Sequence, residues 1–516
     1  MITSRPAPGS SAREQERIHR RQAVSEGEGN EAGGDGWQGV GTPYSTYESG
    51  EPTPGDPEEG RGRLFMELLE GKMQGTSSPD NISTRLRKVA ELANQAPDMV
   101  FTTLAHHIDV VLLKEAFHLT RKDAASGVDQ LTAAEYEAQL DENLTSLLDR
   151  FKSGTYKAPP VKRAYIPKAN GAVRPIGIPT IEDKVLQRAV AMVLGAVYEQ
   201  DFLPCSYGFR PGRSCHQALD TLWRGTMGMG GGYIYEVDIR KFFDTLDHGH
   251  LRSFLDLRVR DGVIRRVIDK WLKAGVCEAG QLAYPDAGTP QGGVISPLLA
   301  NIYLHEVLDK WFEHVVKPRL QGEAILIRYA DDFVMVFSNE MDARKVEEVL
   351  PKRLGRFGLA VHPEKTRLIR FRPPGGGPGG SGHPRLSFDL LGFTHYWGKS
   401  LKGNWVVKRK TAKDRLVRAL KAIGEWCRVN RHVDVVDQYR ILVLKIKGHY
   451  QYYGITGNSR RLDAFLQGVR RLWWKWLGRR SQRSHMSWQE FALMMKTYPL
   501  PMPVVVQSIY RRVARP

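Results

Sequence analysis

The sequence predicts an α+β protein in which helices and antiparallel strands share the middle of the chain and an all-helical region follows. Residues 324–337, AILIRYADDFVMVF, form two apolar runs around a polar centre, which is the pattern of a β-hairpin. Residues 233–239, YIYEVDI, are β-branched and aromatic, which is typical of a buried strand. Apolar residues recur at helical spacing in 181–200, and residues 405–480 also have a helical pattern.

The other predicted elements lie on either side of these segments. Residues 83–119 and 132–152 have the periodicity of amphipathic helices, and residues 386–393 form a further strand pattern. The Gly/Pro-rich tract 373–382 precedes that strand. It lacks the strand, lysine and helix order of a phosphate loop, so we interpret it as a flexible linker.

Composition favours a polyanionic partner. The chain has 516 residues, 41% of them apolar, which suits about two to four globular units. Lys and Arg number 75 against 57 Asp and Glu, a net charge of +18, which favours nucleic acid or an anionic membrane. No apolar run reaches the roughly 18 residues of a membrane span, and the four scattered cysteines argue against a disulfide scaffold. We therefore expect no membrane partner and a prokaryotic cytoplasmic location.

Charge is concentrated at the two ends of the chain. Residues 1–60 carry 5 basic and 11 acidic side chains with 11 Gly and 6 Pro, so we expect this head to be disordered. Residues 401–516 carry 25 basic and 6 acidic side chains and 6 of the 11 tryptophans. Cations interleaved with rings suit a nucleic-acid groove, although Trp473, Trp474 and Trp476 equally fit a helical core.

Three aspartates lie among apolar strand residues. Asp238 is near the end of one predicted strand, and Asp331 and Asp332 lie at the tip of the predicted hairpin. Adjacent carboxylates repel each other unless a cation compensates them, and three carboxylates from neighbouring strands suit Mg²⁺. Two such ions can activate a 3′-hydroxyl and stabilise a leaving pyrophosphate, as template-directed polymerases require. An Asp-Asp pair alone is more often a surface turn, but the apolar flanks 325–327 and 333–336 argue against that here.

Several sequence blocks occur along the chain in one informative order. They are RKDAASGVDQLT at 121–132, YIPKANGAVRPIGIP at 165–179, YGFRPGRS at 207–214, EVDIRKFFDTLDH at 236–248, GTPQGGVISPLLANIYL at 288–304, YADDF at 329–333, GLAVHPEKTRLI at 358–369 and DLLGF at 389–393. In these blocks and their order the chain resembles the bacterial group II intron reverse transcriptases, also called maturases. The resemblance extends from about residue 85 to the C-terminus.

The resemblance implies a right-hand polymerase, with α+β fingers and palm around an antiparallel sheet, followed by an all-helical thumb. It divides the chain into five regions. These are a disordered acidic head (1–60), a helical N-terminal extension (61–160), fingers and palm (161–398), a helical thumb (399–480) and a short basic extension (481–516) without an HNH endonuclease.

The resemblance also implies an RNA-directed DNA polymerase that extends a DNA primer on an RNA template with dNTPs. Asp238, Asp331 and Asp332 would be catalytic and, with Ile239, would hold two Mg²⁺ ions. Four residues correspond to nucleotide contacts, namely the triphosphate clamp Lys168 and Arg174, the sugar-selecting aromatic Phe243, and Gln291 beside the incoming nucleotide.

The implied nucleic-acid partners are structured intron RNA and target DNA, since such proteins assist splicing and retromobility of their intron. Contacts with nucleic acid are expected at Tyr329, Lys365 and thumb charges, namely Arg415, Lys421, Lys445, Lys447, Arg470, Arg471 and Lys475. Two alternatives remain. The protein is a free-standing, defence-associated or CRISPR-associated reverse transcriptase, or it is a splicing-only maturase, against which the three intact aspartates argue.

Overall fold

The computed structural model describes residues 79–167, 173–278, 280–284, 288–289, 292–374, 387–481 and 485–508. The predictions for the head 1–60 and for the start of the helical extension lie outside these residues. The same holds for most of the linker 373–382 and for the end of the C-terminal extension.

Helices account for most of the described chain. In chain order the α-helices are α1 (Pro79–Gln95), α2 (Val110–His118), α3 (Ala133–Glu137), α4 (Leu140–Ser153), α5 (Ile181–Asp201), α6 (Cys215–Gly228), α7 (Phe242–Thr245), α8 (His248–Asp256), α9 (Gly262–Leu272), α10 (Ser296–Leu304), α11 (Glu340–Gly355), α12 (Lys413–Val429), α13 (Val435–Tyr453), α14 (Ser459–Leu477) and α15 (Trp488–Thr497). The chain after α10 continues through two π-helical segments, His305–Asp309 and Phe312–Val316, and 3₁₀ turns form at Ala105–His107 and Lys317–Arg319.

The strands form three sheets. They are β1 (Val161–Pro167), β2 (Val173–Ile178), β3 (Gly232–Asp238), β4 (Val276–Glu278), β5 (Gln281–Ala283), β6 (Ala324–Tyr329), β7 (Asp332–Phe337), β8 (Arg367–Phe371), β9 (Ser387–Leu390), β10 (Phe393–Lys399) and β11 (Trp405–Thr411). The sheet orders are β2-β1-β4-β5, β6-β7-β3-β8 and β11-β10-β9. The α+β prediction is confirmed.

The sheet β6-β7-β3-β8 is antiparallel and is buried on both faces. Alternate residues point to opposite faces of a strand, so Tyr235 and Met335 pack into a large core with the surrounding helices, whereas Ile234 and Val336 pack into a second core that also contains α6 residues. Because both faces are covered, the strands are continuously apolar rather than alternating. This is why the sequence showed unbroken apolar runs at these positions.

The first predicted helix is divided in the structure. The segment 83–119 contains α1 and α2 with a turn region between them, because Asp109 accepts a hydrogen bond from the backbone N–H of Leu112 and begins a new helix. The segment 132–152 likewise contains α3 and α4. A capping box between Thr132 and Glu135 begins α3.

The prediction that residues 405–480 are helical is wrong at its start. Trp405–Thr411 is the strand β11, which pairs with β10 in antiparallel register. Its side chains alternate between half-buried and buried, so the period is two rather than that of a helix. The helices α12 to α14 then pack around a third core that includes Leu442, Phe465 and Trp473. In the part of the chain that the structure describes, every helix is too short or too polar to cross a bilayer.

Candidate active site

The hairpin β6–β7 turns at Ala330 and Asp331. Tyr329 pairs with Asp332 in register, so only two residues form the turn, and Ala330 has a left-handed φ of 56°. Gly208 packs against this turn, because a Cβ atom on it would lie 2.4 Å from the backbone nitrogen of Ala330. The block YGFRPGRS therefore includes a glycine whose lack of a side chain allows it to approach the two-residue turn between β6 and β7 closely.

The three predicted catalytic aspartates lie at the same end of the strands β3, β6 and β7. Asp238 is the last residue of β3 and is the register partner of Asp332 at the start of β7. The backbone carbonyl of Asp238 accepts a hydrogen bond from the N–H of His362 at 2.7 Å, which ties this strand end to the segment before β8. Asp238 and Asp332 are almost 100 positions apart in the sequence. Antiparallel pairing places their carboxylates at the same end of the two central strands.

Electrostatics at the turn reflect concentrated negative charge. Burial raises the pKa of Asp331, and the charge of Asp238 adds to the shift. The side chain of Asp332 reaches solvent, yet the dense protein around it and repulsion from Asp331 and Asp238 raise its pKa to about 7. Carboxylates that resist ionisation in each other's presence are compensated by a bound cation, so their chemistry fits a divalent metal ion.

A lysine already pairs with one of these carboxylates. The Lys365 ammonium donates to Asp238 Oδ2 at 2.8 Å, and its positive charge also opposes the pKa shifts of Asp331 and Asp332. Within the described ranges, no three Asp, Glu, His or Cys side chains are grouped closely enough to hold a metal ion. Ile239, the fourth predicted metal ligand, is 3% exposed and forms a β-bridge with Val361.

Two of the predicted nucleotide contacts can be placed. Arg174 is exposed on β2, and its charge opposes the upward pKa shift of Asp331, so the hairpin β1–β2 acts electrostatically on the turn. Phe243 is half-buried with its ring 5.3 Å from that of the buried Phe242, and its carbonyl accepts from the N–H of Thr289. The other two nucleotide contacts, Lys168 and Gln291, lie outside the described residues.

A glycine brings the segment that precedes α10 close to the strand β2. Gly292 has φ of 121°, and a Cβ atom on it would lie 2.5 Å from the carbonyl oxygen of Gly177 in β2. The absence of a side chain at Gly292 therefore allows close contact with β2 and a left-handed backbone.

The predicted nucleic-acid contacts differ in exposure. Five thumb cations are exposed, namely Arg415, Lys421, Lys447, Arg471 and Lys475, and Arg470 is half-buried. Lys445, by contrast, is 9% exposed with its ammonium 5.5 Å from the centre of the Trp426 ring, and burial lowers its pKa. Tyr329 is 7% exposed and packs in the second core. The structure therefore separates Lys445 and Tyr329 from the surface set.

The three tryptophans that fitted either a groove or a helical core differ in burial. Trp473 is fully buried and its indole N–H donates to Gln438 at 2.9 Å, so it belongs to the thumb core. Trp474 is half-buried and donates to the carbonyl of Met486. Trp476 is half-buried beside the cations Lys475 and Arg479. Of these three rings, only Trp473 is fully buried, and Trp474 and Trp476 remain partly exposed.

One group near the turn was missed by sequence reasoning. Arg328 immediately precedes Tyr329 and is fully buried, where it pairs with the equally buried Asp309. A charged residue inside the apolar run AILIRY was the available signal, since such a residue requires a buried partner. The sequence offered no indication of which acidic residue that partner would be.

Comparison with known proteins agrees with the geometry. The model of the reverse transcriptase (RNA-dependent DNA polymerase) family matches residues 166–395. Protein YkfC of Escherichia coli is 33% identical over 322 residues, which are 56% of this chain and 84% of that protein. Group II intron-encoded protein LtrA of Lactococcus lactis is 40% identical over 231 residues, 44% of this chain.

The matched segments cover the relatives unequally. The match spans only 38% of LtrA, so this chain corresponds to well under half of that relative's length. Among solved structures, telomerase from Candida albicans in complex with a telomeric RNA fragment aligns with a TM-score of 0.38 and 13% identity, covering 71% of this chain and 65% of that one. The conclusion therefore depends on the family match, the sequence relatives and the aspartate geometry. The chain belongs to the group II intron reverse transcriptase/maturase family and carries its RNA-dependent DNA polymerase domain.

Proposed function

We propose that this protein extends a DNA primer on an RNA template at Asp238, Asp331 and Asp332, and that it binds the structured RNA of a group II intron to assist splicing and mobility. The observation that carries the polymerase proposal is the register pairing of Asp238 with Asp332 beside the two-residue turn. It brings the three carboxylates to the same strand ends, where a bound Mg²⁺ ion would draw them together as hard oxygen ligands.

The proposed metal ligands are the carboxylates of these three aspartates, with Ile239 able to offer only a backbone oxygen. Two Mg²⁺ ions, when bound, would lower the pKa of the primer 3′-hydroxyl and neutralise charge on the pyrophosphate that leaves. The raised pKa values of Asp331 and Asp332 support this role, because a cation relieves the repulsion that produces them.

The surrounding residues would bind and orient the reactants. Arg174 is exposed on the fingers hairpin and would contact the triphosphate of a dNTP, since a guanidinium binds phosphate oxygens bidentately. Phe243 would lie under the sugar and exclude a 2′-hydroxyl. Lys365, which pairs with Asp238, would exchange that partner for a phosphate group when substrate and metal ions arrive.

The proposed RNA partner rests on the thumb and on the relatives. The last 116 residues carry a net charge of +19, and most of the thumb cations singled out are exposed. Such a surface binds phosphates and releases their condensed counterions. Because this release is less favourable at high salt, the affinity falls as the salt concentration rises. LtrA is named as a group II intron-encoded protein, and the same kind of RNA is the proposed partner here.

Purification from the native host followed by sequencing of the bound RNA tests the RNA proposal. One dominant structured RNA that contains the gene for this protein is the expected result, and splicing of that RNA would then be measured with and without protein. A broad mixture, or an unrelated small RNA, would contradict the maturase proposal. It would favour a free-standing reverse transcriptase with the same polymerase chemistry.

A further inference from the structure

The buried Arg328 uses every donor that its guanidinium has. Nε and one Nη2 hydrogen bind the two carboxylate oxygens of Asp309 at 2.8 and 2.6 Å. The other donors reach Ser206 Oγ at 2.8 Å, Asn301 Oδ1 at 2.9 Å and the carbonyl oxygen of Ala330 at 3.1 Å. Five donors therefore have five acceptors in a site without solvent contact.

One of these acceptors, the carbonyl of Ala330, belongs to the turn between β6 and β7. Ala330 precedes Asp331 directly and has the left-handed φ that non-glycine residues rarely adopt. Its carbonyl accepts from Arg328, and its backbone nitrogen lies against Gly208. Asn301, which accepts from Arg328, also donates to the carbonyl of Gly208 at 2.8 Å. Both sides of the strained turn are thus tied to one buried guanidinium.

The counter-ion is held by an irregular helix. Asp309 ends the π-helical segment His305–Asp309 and is fully buried. Replacing a buried ion pair by apolar residues of similar volume is often neutral or stabilising, so stability alone does not explain such a pair. π-Helical segments occur frequently at functional sites. This pair lies directly beside the turn between β6 and β7, so holding that turn in place is a reason for a buried ion pair here.

We propose that Arg328, anchored by Asp309, is a positioning residue that fixes the Ala330 carbonyl and thereby orients the carboxylates of Asp331 and Asp332. It touches neither nucleotide nor metal ion and acts through the turn. The proposal rests on the proposed function of these two aspartates as metal ligands. Without the guanidinium, the turn has other conformations available, and the carboxylates spend less time arranged for metal binding.

The double variant Arg328→Met with Asp309→Leu tests this and leaves no unpaired buried charge. The Mg²⁺ concentration that gives half-maximal primer extension is expected to rise, and kcat to fall, each by about 10-fold or more, as for loss of groups that orient metal ligands. The Kd for primer–template is expected to stay close to wild type, whereas the thermal unfolding midpoint should fall, because Ser206, Asn301 and the Ala330 carbonyl lose their buried donor. A purely structural pair would not change the Mg²⁺ requirement.

A matched control exists elsewhere in the protein. Arg258 pairs with Asp201 at 2.8 Å, both largely buried, and donates to backbone carbonyls that include those of Ala93 and Met99. None of the groups that Arg258 contacts belongs to the β6–β7 turn. Arg258→Met with Asp201→Leu should therefore lower stability while leaving the Mg²⁺ requirement unchanged. A tenfold rise in both double variants would overturn the proposal, since it would reflect general loosening.

Two further variants keep the proposal decidable. If the Arg328 double variant does not fold, Asn301→Ala removes one acceptor and one tie to Gly208, and a rise of about threefold in the half-maximal Mg²⁺ concentration is expected. A wild-type Mg²⁺ requirement and kcat in the folded double variant, or in Asn301→Ala when that alone folds, would overturn the positioning role. Asp331→Ala in parallel separates the two claims: if it still polymerises, the proposed metal site itself is wrong.

Discussion

Neutralising exposed thumb cations should flatten the salt dependence of RNA binding. Lys421, Lys447 and Lys475 are exposed on three different thumb helices, α12, α13 and α14, and the triple change to Gln removes three positive charges without disturbing buried groups. Lys445 offers a control, because it is only two residues from Lys447 yet is buried beside Trp426.

The expected magnitude follows from counterion release. Each phosphate contact contributes about 0.7 to the slope of log affinity against log salt for single strands and about 0.9 for duplex, so three contacts contribute about 2 to 3. Between 50 and 200 mM salt, wild type should therefore lose about 20- to 40-fold more affinity than the triple variant. Lys445→Met should keep the wild-type slope, although loss of the contact between the Lys445 ammonium and the Trp426 ring should lower its stability.

Fluorescence anisotropy with a labelled structured RNA, measured at several KCl concentrations, gives these slopes directly. Circular dichroism of each variant shows whether the thumb helices are intact. A wild-type slope in the triple variant would mean that these three lysines face away from RNA. A reduced slope in Lys445→Met would mean that the burial of this lysine does not persist in solution. Either result would refute the argument.

Three other substitutions give separable results. Phe243→Ala should relax discrimination against ribonucleotides by about tenfold or more, seen as the ratio of kcat/KM for dNTP and rNTP, and an unchanged ratio would defeat the sugar-gate proposal. Gly208→Ala places a Cβ 2.4 Å from the Ala330 nitrogen, so kcat should fall by about 10- to 100-fold; a wild-type kcat would contradict the tight contact. Burial lowers the pKa of His395 to about 3, so its folded form resists protonation and stability falls as pH drops below about 6.5, by about 2 kcal/mol at pH 5. His395→Phe, which preserves the stacking on Phe388, should remove that loss in denaturant unfolding at pH 7 and pH 5, and an equal loss in both proteins would be evidence against it.

Local patterns predicted the central elements well. The apolar runs gave β3, β6 and β7 within a residue or two, because strands covered on both faces must be apolar throughout. Helix α5 was predicted over 181–200 and spans Ile181–Asp201, since its buried side carries regularly spaced apolar residues. The three aspartates could be singled out because carboxylates are rare in such runs.

Features that depend on distant partners could not be predicted. The strand β11 was taken as helix because its pairing with β10 is tertiary and its sequence is highly basic. Lys445 looked like any other thumb cation, since only the packing of α13 against α12 buries it on Trp426. The partner of Arg328 lies 19 residues earlier and reaches it through π-helical turns, which no periodicity indicated.

Primer extension by purified wild type and Asp331→Ala on an RNA template, with Mg²⁺ and dNTPs, tests the central claim most directly. Both proteins should bind the primer–template with similar Kd, because Asp331 lies in a turn of the palm sheet and not on the basic thumb surface. The wild type is expected to synthesise complementary DNA, and the variant to synthesise none above background. DNA synthesis by the variant at a rate near wild type would contradict the assignment of the metal site to this turn.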